Sequence, residues 1–574
     1  MKQTRRSGWL AVLLALSVAA AGGCTPDAEV SQPQEQGARS AVPPAGEYAP
    51  KLQENRLVYE KDQPGSVVHL YITVTEDNLT AERPMTWAEL NRIANEADST
   101  AERKLNVIVQ EGTDQGPQKG MFGYGTSEPN ASITLRGKSS IRAPQKSYKI
   151  KLFDNAGYWR DQRTINLNKH ASDFTRLRNK LSFDYFKQLP DITSLRTQFV
   201  HLHVRDLTSG RAQAPFEDYG LYTQIEQPNK SFLRTHGLDP YGHLYKASNF
   251  EFFRYPDKLK TADDPAYDKQ AFESVLEING SNDHAKLLRM LDDVNDMSQD
   301  FDDVFDRHFD RDNFLTWMAA NILMDDVDTS TQNFFLYSPL NAEKWYFLPW
   351  DYDGAFGYYG GPGGDPRERS LWQRGIQNYW GSVVANRFFK NPQNVEQLVA
   401  KVRELRAIIN PENTRRMIET YKPVVSAYVR REPDIRYLPG RVDLYEQELE
   451  RIIHLPVENE QAFIASLQAP MPYFLGDVEQ ANGALTFRWG MSYDLQGDEL
   501  TYRFQLAKEP SFARPLVDRD GLKGTSLVLN GIGKGHYFWR VTVKDAKGHI
   551  MTAFDNFFDE NGSVYHGVRD FYVN

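Results

Sequence analysis

Between Asp312 and Gly357 the chain reads DNFLTWMAANILMDDVDTSTQNFFLYSPLNAEKWYFLPWDYDGAFG, and no other stretch restricts the fold as much. Phe314, Met318 and Ile322 recur at helical spacing, and Leu315, Trp317, Leu323 and Met324 fill most other faces. A helix apolar nearly all round is buried, and Asp312 is a good residue to cap it. A polar loop follows, then two apolar and aromatic runs, Asn333–Tyr337 and Lys344–Trp350, about a turn at Ser338–Glu343. This pattern predicts a hairpin that returns Asp351 to the side of Asn333. Gly354 allows a sharp turn just beyond.

Asp328 and Asn333 lie five apart in the polar loop, in D-T-S-T-Q-N. Phosphoryl transfer needs a carboxylate beside the attacking hydroxyl, with an amide oxygen and a second carboxylate to hold a metal on the phosphates. Helix, D-x4-N loop, two-stranded hairpin and metal Asp follow one another in protein kinases, but Asp326-Val327 stands where ordinary eukaryotic kinases carry His-Arg. Each piece alone is common, since an isolated Asp pair is usually a cap or a solvated turn. Asp325, Asp326 and Asp353 read as supporting or solvated.

Upstream, Val67–Thr75, Leu105–Gln110, Ser132–Leu135, Ser147–Phe153 and Thr164–Asn168 are short β-type runs. A helix is expected around Phe174–Gln188, then strands at Gln198–Val204, Tyr219–Glu226 and His243–Ala247. The turn Leu135-Arg136-Gly137-Lys138-Ser139-Ser140 offers Arg136, Ser139 and Ser140 as phosphate donors, or is simply a hairpin turn. Lys146, Lys149 and Lys151 are candidates for a phosphate-binding lysine, with Lys146 first and Lys151 second. Lys149 and Lys151 share one strand face, which for two lysines is commonly the wet one. Glu226 either contacts adenine at a hinge between lobes or merely ends its strand. Trp345 and Trp350 either stack on a base or belong to the core. From Asp268 to Leu467 the pattern is mainly helical, the last helix lying near Leu444–Ile453.

At 574 residues the chain is long enough for two or three domains. Its formal charge of -10 argues against a general nucleic-acid binder, which needs a basic surface. The single cysteine, Cys24, excludes an intramolecular disulfide framework. It follows a basic start, an apolar run from Trp9 to Ala21 and small residues, which is a secretory signal over 1–24. Ala21-Gly22-Gly23-Cys24 resembles a bacterial lipobox, so Cys24 is expected to be lipidated and to anchor the exported chain to a membrane. Residues 25–52 lack periodicity and read as a disordered tether. From Met471 onward the alternation changes to that of a small antiparallel sandwich, and Trp489, Tyr502 and Tyr537-x-Trp539-Arg540-Val541 resemble a fibronectin type III module.

Taken together, the motifs resemble the CotH-type atypical protein kinase family, named after a spore-coat protein. The matching residues are Leu135 to Ser140, Pro144 to Lys151, Leu177-Arg178-Asn179-Lys180-Leu181, Thr197-Gln198-Phe199-Val200, Gly220-Leu221-Tyr222 through Glu226-Gln227-Pro228, Leu244-Tyr245-Lys246, Asn333 to Tyr337, and Trp345 through Pro349-Trp350-Asp351. The resemblance implies an α+β, two-lobed kinase-like domain over 53–468, with a β-rich N-lobe and a helical C-lobe. An all-β fibronectin III-like sandwich over 469–574 follows it. It implies ATP with Mg2+ or Mn2+ and transfer to Ser or Thr of an extracytoplasmic protein. Asp328 is then the base, and Asn333 and Asp351 are the metal ligands. Lys138 departs from the Asn or His common at that position. Competing readings are a pseudokinase scaffold, a glycosidase using two of Glu226, Asp328, Asp351 and Asp353, and a calcium loop at Asp351-Tyr352-Asp353-Gly354.

Overall fold

The computed structural model describes residues 52–93, 103–211 and 214–573; the expected signal, Cys24 and the tether up to residue 51 lie outside them. The described chain forms two compact units. One runs up to Met471 and includes Asp494–Asp498; the other is Pro472–Tyr493 with the residues from Glu499 on.

The first unit begins with β1 (Val67–Val74), β2 (Leu105–Thr113), β3 (Gly116–Pro117), β4 (Ala131–Arg136), β5 (Ser147–Leu152), β6 (Thr164–Asn168), β7 (Thr197–Asp206) and β8 (Glu217–Ile225). They hydrogen-bond in the order β1-β7-β8-β6-β5-β4-β2-β3, and β1 also pairs with β2, so the sheet closes on itself. Alternation explains the closed core. Tyr148, Ile150 and Leu152 of β5 point in beside Leu70, Ile72, Val107 and Leu202, while Lys149 and Lys151 point out.

A second, four-stranded sheet has the order β10-β9-β11-β12, from β9 (His243–Ala247), β10 (Leu276–Ile278), β11 (Phe334–Ser338) and β12 (Tyr346–Pro349). The expected hairpin is β11–β12, with Phe334 opposite Pro349. It packs on the helix Arg311–Met324, which is buried from Asn313 to Met324. The cap of that helix is Asp310, whose side chain accepts from the Asn313 N–H, and not Asp312. Asp312 falls within the first turn, where its charge still suits the helix dipole.

The family-like segment Leu177–Leu181 is entirely buried. Arg178 pairs with Asp173 and with Glu448 of the helix Tyr445–Ser466, and donates to the Gly363 carbonyl at 3.2 Å. It therefore ties together the chain leaving the hairpin and the last helix of the unit. That helix is longer than the Leu444–Ile453 expected and runs through Pro456. One missing N–H is offset by burial of Ile452, Ile453, Leu455 and Phe463 along its length.

The second unit has two antiparallel sheets. One is β13 (Glu479–Ala481), β14 (Ala484–Arg488) and β17 (Ser526–Asn530). The other is β16 (Val517–Leu522), β15 (Thr501–Ala507), β18 (Gly535–Lys544) and β19 (Ile550–Thr552), with β22 (Val568–Val573) on β18. A short pair, β20 (Asn556–Phe558) and β21 (Val564–His566), lies off both. Phe487 of the first sheet meets Phe504 and Trp539 of the other edge-on at 4.9 and 5.1 Å. This is the sandwich core that the aromatic alternation implied.

Candidate functional site

The hairpin register decides what sits at its open end. Phe334 faces Pro349, so the residues flanking them, Asn333 and Trp350, are neighbours, and the Trp350 N–H donates to the Asn333 carbonyl at 3.2 Å. Asp351 comes next. Asn333 and Asp351 both have left-handed backbones, with φ 60° and 58°. Such a conformation is easier for Asn and Asp than for most residues, and it is a strain that proteins keep where a side chain must be aimed.

The loop before the hairpin completes the group. Asp326 caps the short turn Val327–Thr329, accepting from the Asp328 N–H at 3.1 Å. Its own N–H is held by the Asn321 carbonyl at 3.1 Å, which draws the carboxylate inward. Asp328 accepts from the Gln332 and Asn333 side-chain amides at 2.6 and 3.0 Å. Since the Asn333 amide nitrogen is directed at Asp328, its oxygen is left available as an acceptor.

Four carboxylates therefore crowd one place. Burial, and then the charge of Asp328, pushes Asp326 well above the usual carboxylate range. Burial and the Asp351 and Asp353 charges push Asp328 up to about 6, against the two amides that favour its ionised form. Burial and Asp353 raise Asp351, opposed by Arg136, His170 and Lys246. Asp326 is 1% exposed and its Oδ2 has no hydrogen-bond partner. Of the two readings, supporting or solvated, burial excludes the solvated one, and the other Asp326 oxygen supports the Asp328 turn.

Cationic groups converge on these acids from other elements. Arg136, at the end of β4, lies 5.6 Å over the Trp350 ring and acts on Asp351 and Asp353; its Nη1 is buried without a partner. Lys246 of β9 sits opposite Phe335 and pairs with Glu277 at 3.1 Å. Lys149, facing out of the barrel, feels Arg136, Glu277 and Lys246. His170 Nδ1 lies 3.3 Å from Asp353. Beside them is the turn Gly137–Ser140, whose side chains are exposed. At Gly137, φ is 94° and a Cβ would fall 1.9 Å from the Ser140 Oγ, so this turn requires glycine.

Asp328, Asn333, Asp351 and Arg136 are thus brought together, with Ser139 and Ser140 on the adjoining turn. Lys146 is not among them. Its ammonium donates to the Ile141 and Ile93 carbonyls at 2.6 and 3.0 Å and is buried at the barrel's end. Lys151, exposed on β5, faces the same side as Lys149 but one pleat further along. Glu226 is also elsewhere. It accepts from the Arg196 N–H and guanidinium and from His236 Nε2 at 2.9 Å. Despite burial, the His236 and Arg196 charges hold it down at about 2. Its oxygens are spent on this network, which takes it away from adenine and from any catalytic carboxylate pair. Trp345 and Trp350 are core residues, 0% and 5% exposed.

Of the three candidate lysines, Lys149, ranked behind Lys146 and Lys151, is the one whose charge reaches Arg136 and Lys246, while Lys246 lay in a matched segment without a role assigned to it. His170 carried no signal at all. The donor set fits the groups expected here. Carboxylate and amide oxygens suit a hard cation of the Mg2+ or Mn2+ type, an unpartnered buried carboxylate oxygen lies among them, and an unpartnered guanidinium N–H is available to a phosphate.

The family model described as CotH kinase protein matches residues 133–460, more than half of the chain. Among curated proteins, the inner spore coat protein H of Bacillus subtilis (strain 168) is similar, with 23% identity over 260 residues, 44% of this chain and 67% of that protein. Among solved structures, the Helicobacter pylori proinflammatory kinase CtkA aligns at 10% identity over 54% of this chain and 94% of its own, with a TM-score of 0.23. The Shewanella oneidensis MR-1 HipA–HipB–operator DNA complex aligns at 11% identity over 52% of this chain and 60% of its own, with a TM-score of 0.24. Likenesses this loose carry no argument about the site. The family match does: the chain belongs to the CotH kinase protein family.

Proposed function

We propose that this protein is an ATP-dependent kinase that phosphorylates Ser or Thr hydroxyls of an exported protein. The observation that carries the proposal is the cluster of Asp326, Asp328, Asp351 and Asp353 facing Arg136 and Lys246, with Asn333 turned to leave its amide oxygen open. Four acids so close together, one of them fully buried, are an expensive arrangement unless cations complete it.

Asp351 and the Asn333 oxygen would hold the metal, with Asp326 and Asp353 beside them. A divalent cation supplies, when bound, the positive charge that the triphosphate and these acids lack. Arg136 would donate to phosphate oxygens from the barrel side, and Ser139 and Ser140 would offer hydroxyls and N–H groups from an exposed turn. Lys246 and Lys149, close enough to feel one another, add positive charge. Asp328 accepts the hydroxyl proton as the acceptor oxygen bonds to the γ-phosphorus and the bond to the bridging oxygen breaks, leaving nucleoside diphosphate. A carboxylate that titrates near 6 is ionised at neutral pH yet basic enough for that transfer.

The expected signal and lipobox support action outside the cytoplasm, at a membrane surface. Incorporation of labelled palmitate that is lost in Cys24→Ser tests the anchor. The activity is tested by incubating full-length protein with γ-labelled ATP and Mg2+ or Mn2+. Acid-stable label on Ser or Thr, in the protein or an added acceptor, is the expected result. Nucleotide binding without transfer would instead make it a pseudokinase.

A further inference from the structure

A second cluster lies on the outer face of the barrel. His69 of β1 is in register with His201 of the parallel strand β7, and His203 lies two residues on, on the same face. One ring nitrogen from each of the three lies within 4.8 Å of the others. His69 Nδ1 and His203 Nε2 are 3.4 Å apart. That is long for an N–H···N hydrogen bond, but it is about the separation of two nitrogens bound to one tetrahedral metal at ~2.0–2.1 Å.

The third ring is already oriented. His201 Nε2 is 2.7 Å from Asp218 Oδ1, which also accepts the Gly220 N–H. His201 is 6% exposed, and its Nδ1 is buried with no partner. A carboxylate behind one imidazole nitrogen, fixing the tautomer and leaving the other nitrogen as a lone pair, is the usual support of a metal-bound histidine. Packing does not account for that nitrogen: Tyr428 meets the His201 ring edge-on at 4.8 Å and Tyr71 stacks on His203 at 4.4 Å, but neither provides a donor.

We propose that His69, His201 and His203 form a transition-metal site of the Zn2+ class, with Asp218 orienting His201 and solvent supplying the fourth ligand. Three imidazoles select a borderline cation such as Zn2+ over Mg2+ or Mn2+, which prefer oxygen. The site shares no residue with the acid cluster and differs from it in donor chemistry, and bound metal would clamp β1 to β7.

The test uses full-length protein, dialysed against a chelator and titrated with ZnCl2, with Co2+ as a spectroscopic probe. One Zn2+ per chain, visible bands of tetrahedral Co2+ and a Zn2+-dependent rise in Tm are expected. His69→Ala and His203→Ala, both at half-exposed positions, should lose at least tenfold in affinity, and Asp218→Asn about 10–100-fold. Asp351→Ala should keep the site, which separates it from metal bound at the acids. Zn2+ affinity unchanged in folded His69→Ala and His203→Ala, or no Zn2+ retained by the parent, would overturn the proposal.

Discussion

Asp328 has the most readable chemistry of any single residue. Its carboxyl is raised to about 6, so its basic form is present above that pH and lost below it. The rate of transfer at low substrate should therefore fall below about pH 6, with the limb moving lower as divalent cation increases, because a cation favours the ionised acid. Stability has the matching sign. A carboxyl raised on folding binds its proton more tightly when folded, so the metal-free protein loses stability as pH rises from about 4 through about 6. Divalent cation at pH 7 should raise the Tm, and Asp351→Ala should abolish that rise, as a thermal melt with and without Mg2+ or Mn2+ would show. Glu226 belongs to a different account. Glu226→Gln should lower stability and leave the KM for nucleotide unchanged, an outcome that steady-state kinetics and a denaturant melt together separate from an adenine contact.

Among the elements, the turn Gly137–Ser140 and the hairpin decide the site. Gly137→Ala forces a Cβ onto the Ser140 hydroxyl and strains a backbone at φ 94°. It should raise the KM for ATP several-fold while costing only about 1–3 kcal/mol of stability. The hairpin and the D-x4-N loop were legible because they are local: 24 residues contain Asp328, Asn333 and Asp351, and strand register alone brings them together. The lysines were not. Lys146, just before β5, reads as the first choice and Lys149 as a residue of the wet strand face, but Lys146 ends on buried carbonyls. Choosing Lys149 and Lys246 requires knowing that β5 and β9, about a hundred residues apart and in different sheets, bring their charges within reach of one another. Of the two readings open for Asp326, supporting or solvated, burial leaves the supporting one, and that burial comes from the fold around Asn321 and not from its neighbours in sequence.

At the scale of the whole chain, buried ion networks link distant segments of the first unit. His236 lies between Glu226 and Glu54, at 2.9 and 2.8 Å, and their charges raise it to about 9 despite burial. Its contribution to stability is complete below about pH 6.5 and is lost as pH rises through 9. Glu226, held at about 2, contributes above about 4.5 and fails as pH falls toward 2. His236→Ala should cost about 3–5 kcal/mol in a denaturant melt at pH 7, because it leaves two buried carboxylates short of a partner. Among the described residues, no helix is long and apolar enough to cross a membrane.

Asp328 takes the proton in the proposed phosphoryl transfer at the four-acid cluster. Single-turnover transfer from γ-labelled ATP by Asp328→Asn, set beside its nucleotide affinity, tests it most directly. The expected rate is about 10²–10⁴-fold below the parent, with Mg2+–ATP affinity kept within a few-fold. Transfer at the parental rate in Asp328→Asn would contradict it.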